Sequence, residues 1–243
     1  MKVARVQAPA VINGESARAF AQEIERACMN QAYRVILITG SRGTFCRGMD
    51  LDALSDPPAG TDFTVELEAF AECLRRLRYA GKPVVAVVDG EALAGGAGIV
   101  AACDLVIATA DSSFGLSELL FGLVPAIILP LLLERMPALR VRQWALTGCA
   151  HSANDARGAG LVDVVVESRQ LERAVNHWVR QLSRANSAAV ARLKILSAEA
   201  RALGFESALR RGVSVTAETL REESVIGGIR GFLTGDSVPW EAA

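Results

Sequence analysis

Three short stretches of this 243-residue chain carry residue types suited to chemistry as well as packing. The first is Thr44-Phe45-Cys46-Arg47-Gly48-Met49-Asp50, which follows an apolar run. The second, Leu93-Ala94-Gly95-Gly96-Ala97-Gly98, is built of small residues that let a ligand approach backbone N–H groups at the start of a helix. The third, Phe114 to Leu123 (FGLSELLFGL), sets one carboxylate, Glu118, in apolar surroundings. Burial raises the pKa of a carboxyl group and fits it for proton transfer. Two backbone donors from separate strand-to-helix turns, aimed at one oxygen with a carboxylate nearby, make an oxyanion hole and a base. That is the minimum equipment for stabilising an enolate.

Each stretch also has a purely architectural reading. Gly95-Gly96 serves close packing, Glu118 lies on the polar side of a short helix, and Cys46 is a small buried hydrophobe with no histidine in an evident partner motif. His151 and His177 read as surface or structural residues. No GxxxxGK[ST], GxGxxG or HExxH pattern is present, so nucleotide-loop and zincin chemistry find no support and no metal site is expected.

The elements that must hold these stretches are legible from periodicity. Ser16–Cys28 has helical spacing, as does the segment from Phe63 to Arg78. RVILITG (34–40), PVVAVVD (83–89) and DLVIA (104–108) are continuous apolar runs rich in β-branched residues, the mark of buried parallel strands, and Val3–Val6 suits a short first strand. Strands alternate with helices in the first half, which predicts an α/β fold. Helical patterns follow from Leu131 onward, with a boundary expected near Ser168 that divides an α/β core (1–168) from a helical region (169–243).

Composition narrows the function further. With 26 basic and 27 acidic residues the net charge is -1, so there is no electrostatic footprint for nucleic acid. Five scattered cysteines without a CxxC pair suit a reducing compartment rather than a disulfide framework. The most apolar stretch, Phe121–Leu133, is too short to span a bilayer and contains Pro125 and Pro130. The opening Met-Lys-Val-Ala-Arg-Val has no apolar leader, and a cytoplasmic protein with no membrane partner is expected.

Read in series, RVILITG, FCRGMD, KPVVAVVDGEALAGGAG, CDLVIATADSSFGLSELLFGLVP and LTGCAHSANDARGAGLVD resemble the crotonase (enoyl-CoA hydratase/isomerase) superfamily over nearly the whole length. The resemblance implies a spiral of ββα units with a C-terminal helical region used in trimerisation, and hence a homotrimer or dimer of trimers. It implies acyl-thioester substrates carried as acyl-phosphopantetheine on CoA or acyl carrier protein, with no other cofactor. The runs FGLSELLFGLVPAIILPLLL and IRGFLTGDSVPWE, ending in Pro239-Trp240-Glu241, are similar to the dehydratases of polyketide β-branching cassettes. Those enzymes convert 3-hydroxy-3-methylglutaryl-acyl carrier protein to the 3-methylglutaconyl thioester.

By position, the resemblance assigns the oxyanion donors to the backbone N–H groups of Cys46 and Gly95 and the acid/base to Glu118. The glutamate that ordinary hydratases place three residues past the second donor is Gly98 here. A single-carboxylate dehydratase, a lyase, is therefore expected, with Arg47 and Lys82 as candidate cations for a distal substrate carboxylate. The alternatives are a Δ3,Δ2-enoyl thioester isomerase and a non-catalytic scaffold that binds carrier proteins. The segment between first strand and first helix is short, QAPAVINGE, which leaves part of the wall over the acyl or pantetheine site missing or rebuilt.

Overall fold

In a computed structural model, which describes residues 2–41, 43–57, 59–235 and 240, the apolar runs build one five-stranded parallel sheet. Its strands, in chain order, are β1 (Lys2–Gln7), β2 (Tyr33–Thr39), β4 (Val84–Val88), β6 (Leu105–Thr109) and β9 (Val164–Val166), which also stand in that spatial order. Strands such as VVAVV have no polar alternation because both faces of the sheet are covered. Side chains at alternate positions point to opposite faces. Ile36 and Ile38 accordingly enter the larger core, while Val35 and Leu37 enter a second one on the other side.

After each of three central strands the chain makes a three-residue strand before turning into a helical segment. β3 (Thr44–Cys46), β5 (Glu91–Leu93) and β7 (Ser113–Gly115) pair in parallel, and β8 (Ala150–Ser152) closes this second sheet antiparallel to β7. The helices between are α1 (Gly14–Met29), α2 (Leu51–Ser55), α3 (Phe63–Arg78), α4 (Gly95–Ala101), α5 (Leu129–Arg135), α6 (Ala138–Thr147) and α7 (Ala153–Gly158). The repeated long strand, short strand and helical segment is the expected ββα spiral. Three-residue strands are too short to display a periodicity, so the second sheet is not readable from sequence.

A buried polar network fixes the two short strands that matter most below. The Thr109 hydroxyl donates to Asp89 at 3.0 Å, the Ser112 hydroxyl donates to the Val88 carbonyl at 3.0 Å, and Gly90 N–H donates to Ser112 at 3.2 Å. These bonds clamp the β4-to-β5 turn against the β6-to-β7 turn. Asp104 and Asp163 accept from Val84 N–H and Val106 N–H, each at 2.7 Å, and so anchor the starts of β4 and β6. Of these groups the Thr109 and Ser112 hydroxyls are buried, and burial is tolerated because they are paired.

The described residues form two compact units, divided between Leu182 and Ser183. The first runs past the boundary expected at Ser168, because α8 (Leu171–Leu182) buries Val175 and Val179 in the second core beside Val85 and Ile107. The second unit contains α9 (Ser187–Ala202), α10 (Phe205–Thr219) and α11 (Glu223–Thr234). Within it, the Trp240 indole N–H donates to the Arg184 carbonyl at 2.9 Å, and its ring covers Gly228. Trp240 belongs to the Pro239-Trp240-Glu241 run, whose other two residues lie outside the described ones. Among the described residues no helix is long and apolar enough to cross a membrane, and no group of three metal-ligating side chains is assembled.

Candidate active site

The glycine-rich stretch begins α4 through an unusual turn. Ala94, the residue before the helix, has φ of 49°, the only non-glycine left-handed conformation among the described residues. Such a conformation is costly for a residue with a Cβ and persists only where its surroundings enforce it. Here the enforcement is a bond from Ala94 N–H to the Gly115 carbonyl at 2.8 Å, which ties the turn to β7. The turn has no side-chain cap, so Gly95 N–H, in the first turn of α4, has no intrahelical acceptor. Gly95 lines a cavity of about 240 Å³.

The stretch after β3 approaches from the other side. Ile12 N–H donates to the Gly48 carbonyl at 2.7 Å and Asp50 N–H donates to the Ile12 carbonyl at 2.9 Å. Successive residues of an extended chain present their backbone groups to opposite sides, so the N–H of Met49 faces away from Ile12. Met49 lines the same cavity as Gly95. Gly48 makes this approach possible: its φ is 89°, and a Cβ there would lie 2.8 Å from the Ala94 Cβ and 3.1 Å from the Gly95 nitrogen. Two amides, those of Met49 and Gly95, thus open from neighbouring turns onto one cavity.

Glu118 completes the set. It starts a single 3₁₀ turn (Glu118–Phe121) just beyond β7, closed by Gly122 at φ of 77°. The Glu118 carbonyl accepts from Leu123 N–H at 3.0 Å, which holds its backbone, while its Oε2 is buried without a hydrogen-bond partner. Removal from water pushes the carboxyl pKa up, against a smaller downward pull from its own backbone N–H. Met49, Phe70, Phe121, Pro125, Ile127 and Ile128 supply apolar wall around it. A carboxylate with an unpaired oxygen in such a place is equipped to take and return a proton.

The position that carries no second carboxylate is closed to one. Gly98 is buried in α4, and a Cβ on it would lie 2.1 Å from Ile128 Cγ2. The Ile128 side chain fills the space that a longer residue at 98 would need.

Not every residue singled out from sequence comes to the cavity. Gly95 and Glu118 line it; Cys46 does not. Cys46 is fully buried within the β3–β5 pairing, with its carbonyl so close behind Gly96 that a Cβ there would meet it at 2.1 Å. Burial pushes its thiol up to about 11, with Gly48 N–H donating to the sulfur as the smaller opposing influence. Of this stretch the cavity lining takes in Arg47 and Met49, the latter three residues on from Cys46. The visible signal for it is Gly48, whose left-handed turn redirects the chain. Arg47 lines the cavity, its Nε donating to Glu91 at 2.8 Å. Lys82 is remote from it: its ammonium donates to the carbonyls of Ala27 and Asn30, at 2.9 and 2.6 Å, and closes the end of α1. His151 stacks on Trp144 at 4.0 Å between ring centres, in keeping with a structural role.

Comparison with known proteins follows the same lines. The sequence model of the enoyl-CoA hydratase/isomerase family matches residues 1–243. The mevalonyl-coenzyme A hydratase of Aspergillus fumigatus is 38% identical over 141 residues, 58% of this chain; the match spans about half (52%) of that protein. The bacillaene synthase dehydratase PksH of Bacillus subtilis is 30% identical over 230 residues, 90% of this chain and 84% of that one. Among solved structures, Pseudomonas aeruginosa AtuE superposes with a TM-score of 0.86 at 26% identity, covering 98% of this chain and 95% of the other.

Proposed function

This chain belongs to the enoyl-CoA hydratase/isomerase family, and from that premise we propose that it is a lyase that dehydrates 3-hydroxy-3-methylglutaryl-acyl carrier protein to the 3-methylglutaconyl thioester. The observation that carries the reading is the solitary Glu118: its Oε2 is buried and unpaired in an apolar cavity, and Ile128 occupies the space that a side chain at position 98 would need. The similarity to a polyketide-synthase dehydratase, PksH, supports the choice of substrate and of a carrier-protein donor.

In this mechanism the thioester C=O accepts hydrogen bonds from Met49 N–H and Gly95 N–H. Charge moves onto that oxygen as C2 loses its proton, and a donor of this kind typically contributes ~10²–10³ in kcat. Ionised Glu118 takes the C2 proton. The new carboxylic acid then protonates the C3 hydroxyl, the C3–O bond breaks, the C2=C3 bond forms and water leaves. One carboxyl serves both steps because proton and hydroxyl depart from the same face. Cys46 supports the Gly48 turn from behind, outside the cavity. A homotrimer or dimer of trimers is the assembly proposed, its contacts supplied by exposed apolar side chains of the second unit such as Phe205, Val213, Phe232 and Leu233.

The test is incubation with 3-hydroxy-3-methylglutaryl-carrier protein and, separately, a 3-enoyl-CoA, followed by mass and double-bond analysis. Loss of one water from the first, abolished in Glu118→Gln, is the expected result. Migration of the double bond in the second without dehydration of the first would make the protein an isomerase. Carrier-protein binding with no reaction at all would make it a scaffold.

A further inference from the structure

The proposed substrate carries a second ionised group that the cavity has to accommodate. Among the described residues, Arg47, Ser117 and Glu118 alone bring ionisable or hydroxyl side chains to its lining. Ionised Glu118 repels an anion, and Lys82 is engaged at the end of α1, which leaves Arg47 as the lining cation. Its guanidinium is held at one edge: Nε donates to Glu91 Oε2 at 2.8 Å, and Glu91 sits in β5, three residues ahead of Ala94. That bond spends one of the five donors of the group and fixes its plane. The terminal nitrogens, which can present a second, bidentate edge to a carboxylate or phosphate, have no bond to another described residue. The Arg47 side chain is 60% exposed, at the cavity rim rather than its floor.

We infer that Arg47, oriented by Glu91, receives the distal carboxylate of a dicarboxylic half-thioester. The inference rests on the dehydratase reading for its substrate and adds the residue that selects it. A carboxylate and a phosphate would satisfy the same guanidinium edge, and chain geometry decides between them. Arg47 precedes the Met49 donor by two residues, so it is placed for a group a few bonds from the thioester carbonyl. The phosphate of the carrier arm is a whole pantetheine length away. Ser117, whose side chain caps nothing in its own turn, lies beside Glu118 as the other hydroxyl-bearing wall.

The experiment measures equilibrium binding of unreactive thioesters that lack the 3-hydroxyl group: glutaryl-pantetheine, valeryl-pantetheine and their phosphopantetheine counterparts. Wild type is expected to bind glutaryl over valeryl by about ten- to a hundredfold, the range for a charge-assisted pair. Arg47→Gln should erase that preference while leaving valeryl binding unchanged, and Arg47→Lys should restore part of it. The substituted side chain is a surface one, and circular dichroism checks the fold. An unchanged glutaryl preference in Arg47→Gln overturns the inference. So does a loss confined to the phosphorylated ligands, which would assign Arg47 to the carrier arm. Because none of these ligands can be dehydrated, a lost glutaryl preference with no dehydration of any hydroxyacyl thioester would sink the reaction and keep the carboxylate receptor.

Discussion

Placing a methyl group on Gly98 drives it into Ile128. The added Cβ would lie 2.1 Å from Ile128 Cγ2 and 2.7 Å from its Cβ, about 1.3 Å short of ordinary contact at the nearer atom. Ile128 is 3% exposed and immediately precedes α5, so its backbone has little freedom to retreat. Overpacking of this kind costs ~1–3 kcal/mol. Replacing glycine by alanine within a helix returns ~0.5–1 kcal/mol. Gly98→Ala should therefore destabilise by roughly 0–2.5 kcal/mol, a fall of up to about 10 °C in Tm for a chain of this size. Ile128→Ala alone leaves a cavity and should cost ~2–5 kcal/mol. In the double variant the 2.1 Å clash with Cγ2 is gone and only the 2.7 Å approach to the Cβ at 128 remains, so Gly98→Ala should cost less on the Ile128→Ala background than in wild type. Urea unfolding followed by circular dichroism, with the slope unchanged, gives the coupling as the departure from additivity. A coupling below ~0.5 kcal/mol would refute the claim that Ile128 fills the space at 98. The single-carboxylate site would then lack its structural cause.

Three further outcomes are expected. Glu118 carries a carboxyl pKa raised by burial, so its ionisation opposes folding: wild type should lose stability relative to Glu118→Gln as pH rises through the carboxylate range, the variant melting higher near about pH 8 and the gap closing by about pH 4. Differential scanning calorimetry across that range checks the sign, and a gap that widens at low pH would contradict it. Gly95→Ala should stay folded, since the new Cβ presses only on side-chain ends, Ile12 Cδ1 at 2.7 Å and Phe70 Cζ at 3.3 Å, and meets Gly48 Cα at an ordinary 3.5 Å; because its backbone N–H is kept, kcat should fall by less than the ~10²–10³ that loss of a donor costs, as steady-state kinetics would report. Cys149 is exposed whereas Cys46 and Cys73 are buried with thiols pushed up to about 11, so a thiol reagent should label Cys149 in the native protein and leave Cys46 untouched, as mass mapping would report.

The sequence by itself determined the parallel sheet, the helix at 63–78 and the candidate acid. Each is a local signal: an uninterrupted β-branched run such as RVILITG has only a doubly covered strand as its stable home, and one carboxylate amid FGLSELLFGL is conspicuous wherever the chain goes. What the tertiary structure decided is which groups meet. The second sheet is assembled from three-residue strands that carry no period. Lys82, close in sequence to the site motifs, is drawn instead to the carbonyls of Ala27 and Asn30 by long-range packing. Met49 rather than Cys46 lines the cavity, because the course of the chain there depends on the pairing of its neighbours with Ile12 and on the left-handed turn at Gly48. The absence of a glutamate at 98 is written in the sequence. That Ile128 leaves no room for one is a fact of packing, where residues thirty positions apart compete for the same volume.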